Sequence, residues 1–131
     1  MDNKDKQVLI NRYLQAYNAF DIEGMIKTVS DNIEFENISQ GEVNAYSKGV
    51  HEFRDLAEQG QFLFTSREQC ITAVEELGDK IITQILYRGV LATDLPNGLK
   101  EGETLTLEGQ SIFSFQEGKI SRIQDVSDSK I

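Results

Sequence analysis

The sequence is short of the residues that form cross-links, hinges and metal sites. Its 131 residues include one cysteine, one proline, one histidine and no tryptophan. Cys70 cannot form an internal disulfide, and it lacks the companion cysteines and histidines of a zinc site. We therefore expect a reducing, cytoplasmic setting and no metal or other cofactor. With no Ser/Gly-rich linker in view, we expect residues 1–131 to form a single domain.

Positive charge and long apolar runs are also scarce. Thirteen Lys and Arg residues stand against 22 Asp and Glu residues, so the formal net charge is -9 at pH 7. A field of that sign repels phosphate backbones and anionic membrane surfaces, and we expect neither nucleic acid nor membrane as a partner. No apolar run approaches the roughly 20 residues that span a bilayer. Residues 1–6 are also too polar for a signal peptide.

The hydrophobic period of the first half predicts helices. Apolar residues recur at helical spacing from Ile10 to Tyr17, which predicts an amphipathic first helix. Asp21 is placed to cap a short second helix. A third helix is predicted from residue 50 to about residue 58, with Gly60 ending it.

A period of two, which indicates strands, begins after Asn32 and dominates the second half of the sequence. Ile33 and Phe35 alternate with glutamates in a first strand, and residues 69–77 and 80–92 flank a Gly78-Asp79 hairpin turn. Two further strands are predicted over residues 103–116 and 119–126. We therefore expect an α+β fold in which a strongly curved antiparallel sheet packs on N-terminal helices and encloses a pocket.

One strand is apolar on both of its sides. Residues 81–87 carry apolar side chains at odd and at even positions, so both sheet faces should be covered there. The helices can cover only one face. A second subunit is the natural cover for the other, and we expect a homodimer formed through the outer sheet face.

Four segments, in order along nearly the whole chain, match the pattern of a known family. They are Arg12 to Leu14 with Asn18 to Gly24, Asp31 to Glu36, Gly49 to Phe53, and Phe113 to Ile120. These segments resemble the SnoaL-like members of the nuclear transport factor two-like superfamily. The resemblance implies a cone-shaped fold with a mostly apolar internal pocket, in proteins that are usually dimeric. Members include enzymes of several classes and non-catalytic binders.

Ketosteroid isomerase shares this fold and is similar in the first helix. Its oxyanion-hole tyrosine falls on Tyr13, its general base on Asn37 and its second oxyanion donor on Ser111. An amide cannot abstract a proton from carbon near neutral pH, so the isomerase mechanism is not expected.

Limonene epoxide hydrolase resembles the end of the chain. One of its catalytic aspartates falls on Asp125 and its arginine on Arg88, whereas Val90 replaces its second aspartate. The SnoaL cyclases also place a catalytic aspartate on or near Asp125. The resemblance therefore implies half of a hydrolase site.

Strand alternation places Asp125 on the same face as Ile123. If that face meets the pocket, burial would raise the pKa of Asp125 into the range of a useful acid or base; otherwise Asp125 is an exposed residue near the chain end. Arg88 would be its ion-pair partner if Gln84 and Leu86 face inward. Tyr13 is either a hydrogen-bond donor in the pocket or a core aromatic.

The candidate catalytic residues are thus Asp125, Tyr13 and Arg88. The candidate ligand-binding residues are Tyr17, Phe35, Asn37, Phe53, Gln84, Leu86, Ser111, Phe113 and Ile123. Within this set, the neutral side chains of residues 37, 84 and 111 would orient a ligand or hydrogen-bond to each other.

Three functions remain open at this point. The protein is a pocket protein for a small apolar ligand with a polar group, or it is an isomerase, cyclase or hydrolase of a small cyclic or carbonyl substrate. In the enzyme, Asp125 would be the acid or base and Tyr13 or Arg88 the electrophile. The third reading is a subunit-interaction module, which predicts an interior filled by side chains.

Overall fold

The structure is a computed structural model that describes residues 1–127. Over this range the chain forms three helices and six strands. In chain order they are α1 (Asn3–Asn18), α2 (Ile22–Ile26), β1 (Val29–Ser39), β2 (Glu42–Lys48), α3 (Val50–Gln61), β3 (Phe64–Leu77), β4 (Lys80–Leu91), β5 (Thr104–Gln116) and β6 (Lys119–Ser127). The predicted α+β fold is confirmed.

The six strands form one mixed sheet in the order β2-β1-β6-β5-β4-β3. Most neighbours are antiparallel, but β1 and β6 run parallel, with Phe35 opposite Ile123 and Asn37 opposite Asp125. The sheet is therefore mixed at this pair, whereas the sequence analysis expected an antiparallel sheet. Parallel neighbours need a long connection between them, and everything from β2 to β5 supplies it. The sheet is open, with β2 and β3 at its edges.

Two local features differ from the expected boundaries. The sequence analysis did not predict β2, an edge strand in which Ser47 is the one buried residue. Gly60 lies inside α3 rather than ending it, and the helix continues to Gln61. Asp21 caps α2 as expected, since its carboxylate accepts a hydrogen bond from the Gly24 N–H at 3.0 Å.

The helices cover one face of the sheet and form the main core with it. Ile10 and Tyr13 of α1 pack with Phe53 of α3 and with fully buried sheet residues such as Phe113 and Ile123. A second apolar cluster lies at the other end of the inner face; it comprises Phe64, Leu91, Leu105 and Leu107. The space between the two clusters contains the site described below.

The outer face of the sheet carries exposed apolar side chains. Leu86 of β4 is 38% exposed there, and Ile82 and Val90 on the same side of the strand are partly exposed. A homodimer that covers this face stays a prediction. None of the helices within residues 1–127 is long and apolar enough to cross a membrane.

Candidate functional site

A cavity of about 320 Å³ lies between α1, α3 and the inner face of the sheet. Its volume is at the lower end of the range of about 300–1,000 Å³ that is typical of small-molecule sites. Its walls are mainly apolar, with side chains such as Met25, Phe35, Phe53, Phe64 and Leu107. The subunit-interaction hypothesis required an interior filled by side chains. The interior contains this cavity instead.

Asp125 is the one carboxylate that lines this cavity within residues 1–127. It projects from β6 opposite Ser111 of β5, whose hydroxyl donates a hydrogen bond to Oδ1 at 2.6 Å. Burial raises the pKa of Asp125 from 3.8 to about 6, although the Ser111 hydrogen bond acts to lower it. The carboxyl group thus changes charge close to neutral pH.

Tyr13 lines the same part of the cavity from α1. Its ring is 6.2 Å from the ring of Phe113 in an edge-on contact and 6.4 Å from that of Phe53. Burial raises the pKa of Tyr13, and the nearby charge of Asp125 raises it further. The phenol is therefore neutral at physiological pH and is a hydrogen-bond donor close to the carboxylate.

A second polar cluster surrounds Arg67 of β3, which is 7% exposed. Its guanidinium carbon lies 3.7 Å from the ring centre of Tyr17 and 4.4 Å from that of Phe20. Its Nε donates a hydrogen bond to the backbone carbonyl of Tyr17 at 2.9 Å. Two aromatic rings and one carbonyl group therefore hold the guanidinium in place at the end of α1.

Two phenols and an amide complete the Arg67 cluster. The hydroxyls of Tyr17 and Tyr87 are 2.9 Å apart and share one hydrogen bond. Burial raises the pKa of both, so both stay protonated at neutral pH. Gln69 joins them in the cavity wall, and its backbone N–H donates to Oδ1 of Asn18 at 2.8 Å. That contact fixes the end of α1 against β3.

Arg88, Gln84 and Leu86 do not belong to the cavity. All three are exposed on the outer face of β4, because the odd-numbered residues of this strand, including Ile81, Ile85 and Tyr87, point inward. The expected Arg88–Asp125 ion pair is therefore wrong. The sequence does not show which residues of β4 face inward, since apolar residues also occupy even positions of this strand.

The remaining predicted residues divide into two groups. Phe113 and Ile123 are completely buried beneath Tyr13 in the main core and do not line the cavity. The following predicted residues do line it: Tyr13, Tyr17, Phe35, Asn37, Phe53, Ser111 and Asp125. Asn37 lies toward the edge of the cavity, where its side-chain amide donates to Oδ1 of Asn44 at 2.7 Å.

Sequence reasoning missed Arg67, Gln69 and Tyr87. The predicted strand begins at residue 69, whereas β3 begins at Phe64, so Arg67 falls outside the predicted strand. Tyr87, like Ile85, is an odd-numbered residue of β4. If the odd-numbered residues had been assigned to the inner face, Tyr87 would have been predicted as a cavity residue. Around residue 67 the sequence is polar, and nothing in it signals a buried arginine. In the described part of the chain, no group of His, Cys, Asp or Glu residues could hold a metal ion.

The pattern of the SnoaL-like domain family matches residues 10–123. The chain belongs to this family. No curated protein matches it in sequence.

Solved structures share the fold at low sequence identity. A candidate polyketide cyclase from Xanthomonas campestris pv. campestris is 20% identical, with a TM-score of 0.80 over 95% of this chain and 91% of that chain. An LEH-like epoxide hydrolase from M. tuberculosis is 15% identical, with a TM-score of 0.76 over 95% of this chain and 84% of that chain. A protein with a ketosteroid isomerase-like fold from Catenulispora acidiphila is 11% identical, with a TM-score of 0.74 over 92% of this chain and 85% of that chain. These likenesses show the fold.

Proposed function

We propose that this SnoaL-like protein binds a small, mostly apolar organic molecule in its cavity and that Asp125 exchanges a proton with it. The observation that carries the proposal is the position of Asp125, an ionisable carboxyl group in the wall of an apolar cavity. A carboxyl group with a pKa of about 6 is half ionised at about pH 6, and about a tenth of it is still protonated at pH 7. It is therefore able both to accept and to donate a proton there.

Tyr13 is the second member of the proposed machinery. Its phenol stays protonated beside Asp125, so it can donate a hydrogen bond to an oxygen atom that gains negative charge as the proton moves. No hydrogen bond to the Tyr13 hydroxyl occurs within residues 1–127, which leaves the group available to a ligand. Because Arg88 lies on the outer face, Tyr13 takes the electrophilic role that the sequence had left open between the two.

The proposed substrate is a small cyclic or carbonyl compound. Aromatic rings of residues 35, 53 and 64 form much of the wall, and they favour a flat or cyclic body. Two structures that share the fold are described as a candidate polyketide cyclase and an LEH-like epoxide hydrolase, and both descriptions name enzymes. This agrees with catalysis in the present chain.

A neutral carbon acid provides the test. In 5-nitrobenzisoxazole a base removes the proton on the ring carbon, the ring N–O bond breaks, and a coloured cyanophenolate forms in one step. We expect the protein to accelerate this reaction above the rate with free acetate. The rate should rise with pH through a midpoint near 6, because the ionised form of Asp125 is the base.

Two variants complete the experiment. Asp125→Asn should reduce the rate to the background level, since the amide has no basic site. Asp55→Asn is the matched control, because Asp55 is an exposed aspartate on α3 and its loss removes the same charge. Equal rates in the wild type and in Asp125→Asn would refute the role of Asp125. Such a result together with tight ligand binding would indicate a binding protein rather than an enzyme.

A further inference from the structure

The positive charge of Arg67 has no carboxylate partner within residues 1–127. The ion pairs found in that range involve Arg54, Lys100 and Arg122, and none involves Arg67. Its Nη2 is buried and has no hydrogen-bond partner in the described residues. A buried charge with an unsatisfied N–H is costly, and the two aromatic rings offset only part of that cost. Arg67 also lines the cavity, so its unpaired positive charge lies in the cavity wall.

The rest of the cluster supplies further donors beside this charge. Tyr17 and Tyr87 share one hydrogen bond, and the Gln69 amide donates another to the Tyr17 oxygen, which lowers the pKa of Tyr17. The pair therefore retains one O–H group to donate. The amide of Gln69 lines the same region of the cavity. A guanidinium group with neutral hydrogen-bond donors beside it is an arrangement that binds a carboxylate.

No ion pair joins Asp125 to Arg67 in the described residues, although the charge of Asp125 acts to raise the pKa of both Tyr17 and Tyr87. Tyr13 lies within the fields of both charges, since Asp125 raises its pKa and Arg67 lowers it. Tyr17, which packs on Arg67, follows Tyr13 by one helical turn, or about 6 Å along α1. A ligand with an anionic end at Arg67 therefore extends past Tyr13 toward Asp125, and repulsion between like charges keeps its anionic end away from that carboxylate.

We propose that the Arg67 cluster is a carboxylate-binding subsite and that the ligand of this cavity is a small aromatic or cyclic carboxylic acid. The acid group binds Arg67, and the apolar ring lies among the aromatic walls with its far edge at Asp125. This proposal rests on the proposed function only in that both concern the same cavity. Its test is a binding measurement and requires no turnover.

The probes are 2-naphthoate and its neutral isostere 2-naphthamide, and their affinities are compared by isothermal titration calorimetry at about pH 7. We expect the wild type to bind the acid at least about tenfold more tightly than the amide, which corresponds to about 1.4 kcal/mol. Arg67→Met should abolish this preference by weakening the acid and leaving the amide within about twofold.

Arg88→Met is the matched control. It removes the same charge from the neighbouring strand β4, but from the outer face, so it should keep the preference for the acid. Arg67→Lys keeps the charge but loses the planar guanidinium, so its preference for the acid over the amide should be reduced but not lost. This variant replaces Arg67→Met in the experiment if Arg67→Met does not fold.

Three results would overturn the proposal: equal affinity of the wild type for the two probes, a preference that survives in Arg67→Met, or no binding of either probe. These failures are distinct from failure of the proposed function. Proton abstraction from 5-nitrobenzisoxazole depends on Asp125 and uses a neutral probe, so it would persist if only the carboxylate subsite were absent.

Discussion

Replacement of Asp125 by Asn should stabilise the protein at neutral pH and not in acid. The folded state raises the pKa of Asp125 from 3.8 to about 6. At 1.36 kcal/mol per pKa unit, the ionised carboxylate costs the folded state about 3 kcal/mol. Asn carries no charge to bury and can accept the hydrogen bond from Ser111 through its side-chain oxygen. We therefore expect a gain of up to about 3 kcal/mol in the free energy of unfolding.

The direction of the pH dependence follows from the raised pKa. Below the unfolded-state pKa the carboxyl group is protonated in both states, and Asp125 imposes no penalty. As the pH rises through the folded-state pKa near 6, the unfolded state has already lost its proton, and the wild type loses the stability that the neutral form provided. The advantage of Asp125→Asn should therefore develop between about pH 4 and about pH 6 and stay constant above that range.

Urea denaturation of both proteins at a series of pH values measures this difference. The other acidic residues change stability in both proteins alike, so the difference between them isolates residue 125. Asp55→Asn controls for the removal of a negative charge from a protein of net charge -9 at pH 7, and its exposed position should give a small effect without the same step. A gain that does not vary with pH, or a wild type that becomes relatively more stable as the pH rises, would refute the burial of this carboxyl group.

Four further substitutions test the packing around the site. Ser111→Ala removes the hydrogen bond that lowers the pKa of Asp125, so the NMR titration midpoint of that carboxyl should rise above the wild-type value. Gly109→Ala on β5 places a Cβ 2.5 Å from the carbonyl oxygen of Val126 and should lower the free energy of unfolding by about 1–3 kcal/mol. Gly60→Ala in α3, where a Cβ meets nothing within 4 Å, should instead be neutral or stabilising. Phe113→Ala should cost about 3–5 kcal/mol in urea denaturation, and a much smaller loss would contradict its place in the core.

Alternation with a clear apolar face predicted residue orientations well. On β6, Ile123 is apolar and its neighbours are polar, so the inward face of the strand was evident and Asp125 followed from it. The helical spacing of α1 likewise placed Tyr13 and Tyr17 together on the inner side. In both elements the apolar residues fit only one assignment of the inward face.

The same reasoning failed where the pattern was ambiguous or absent. On β4 both parities are apolar, so the wrong set, with Gln84, Leu86 and Arg88, was equally consistent with the sequence. Arg67 carries no local signal at all, because its burial depends on the rings of Tyr17 and Phe20 from a distant part of the chain. Phe20 adopts a left-handed backbone conformation with φ 58°, which alternation and propensity do not predict.

The central claim is that a carboxyl group in this cavity is poised to exchange a proton near neutral pH. The most direct test is a ¹³C NMR titration of the Asp125 side-chain carboxyl, assigned by comparison with Asp125→Asn. The account predicts a midpoint near 6, since burial raises this pKa. A midpoint near 3.8, the ordinary value for an aspartate, would contradict the account, because the carboxylate would then be solvated and permanently ionised at neutral pH.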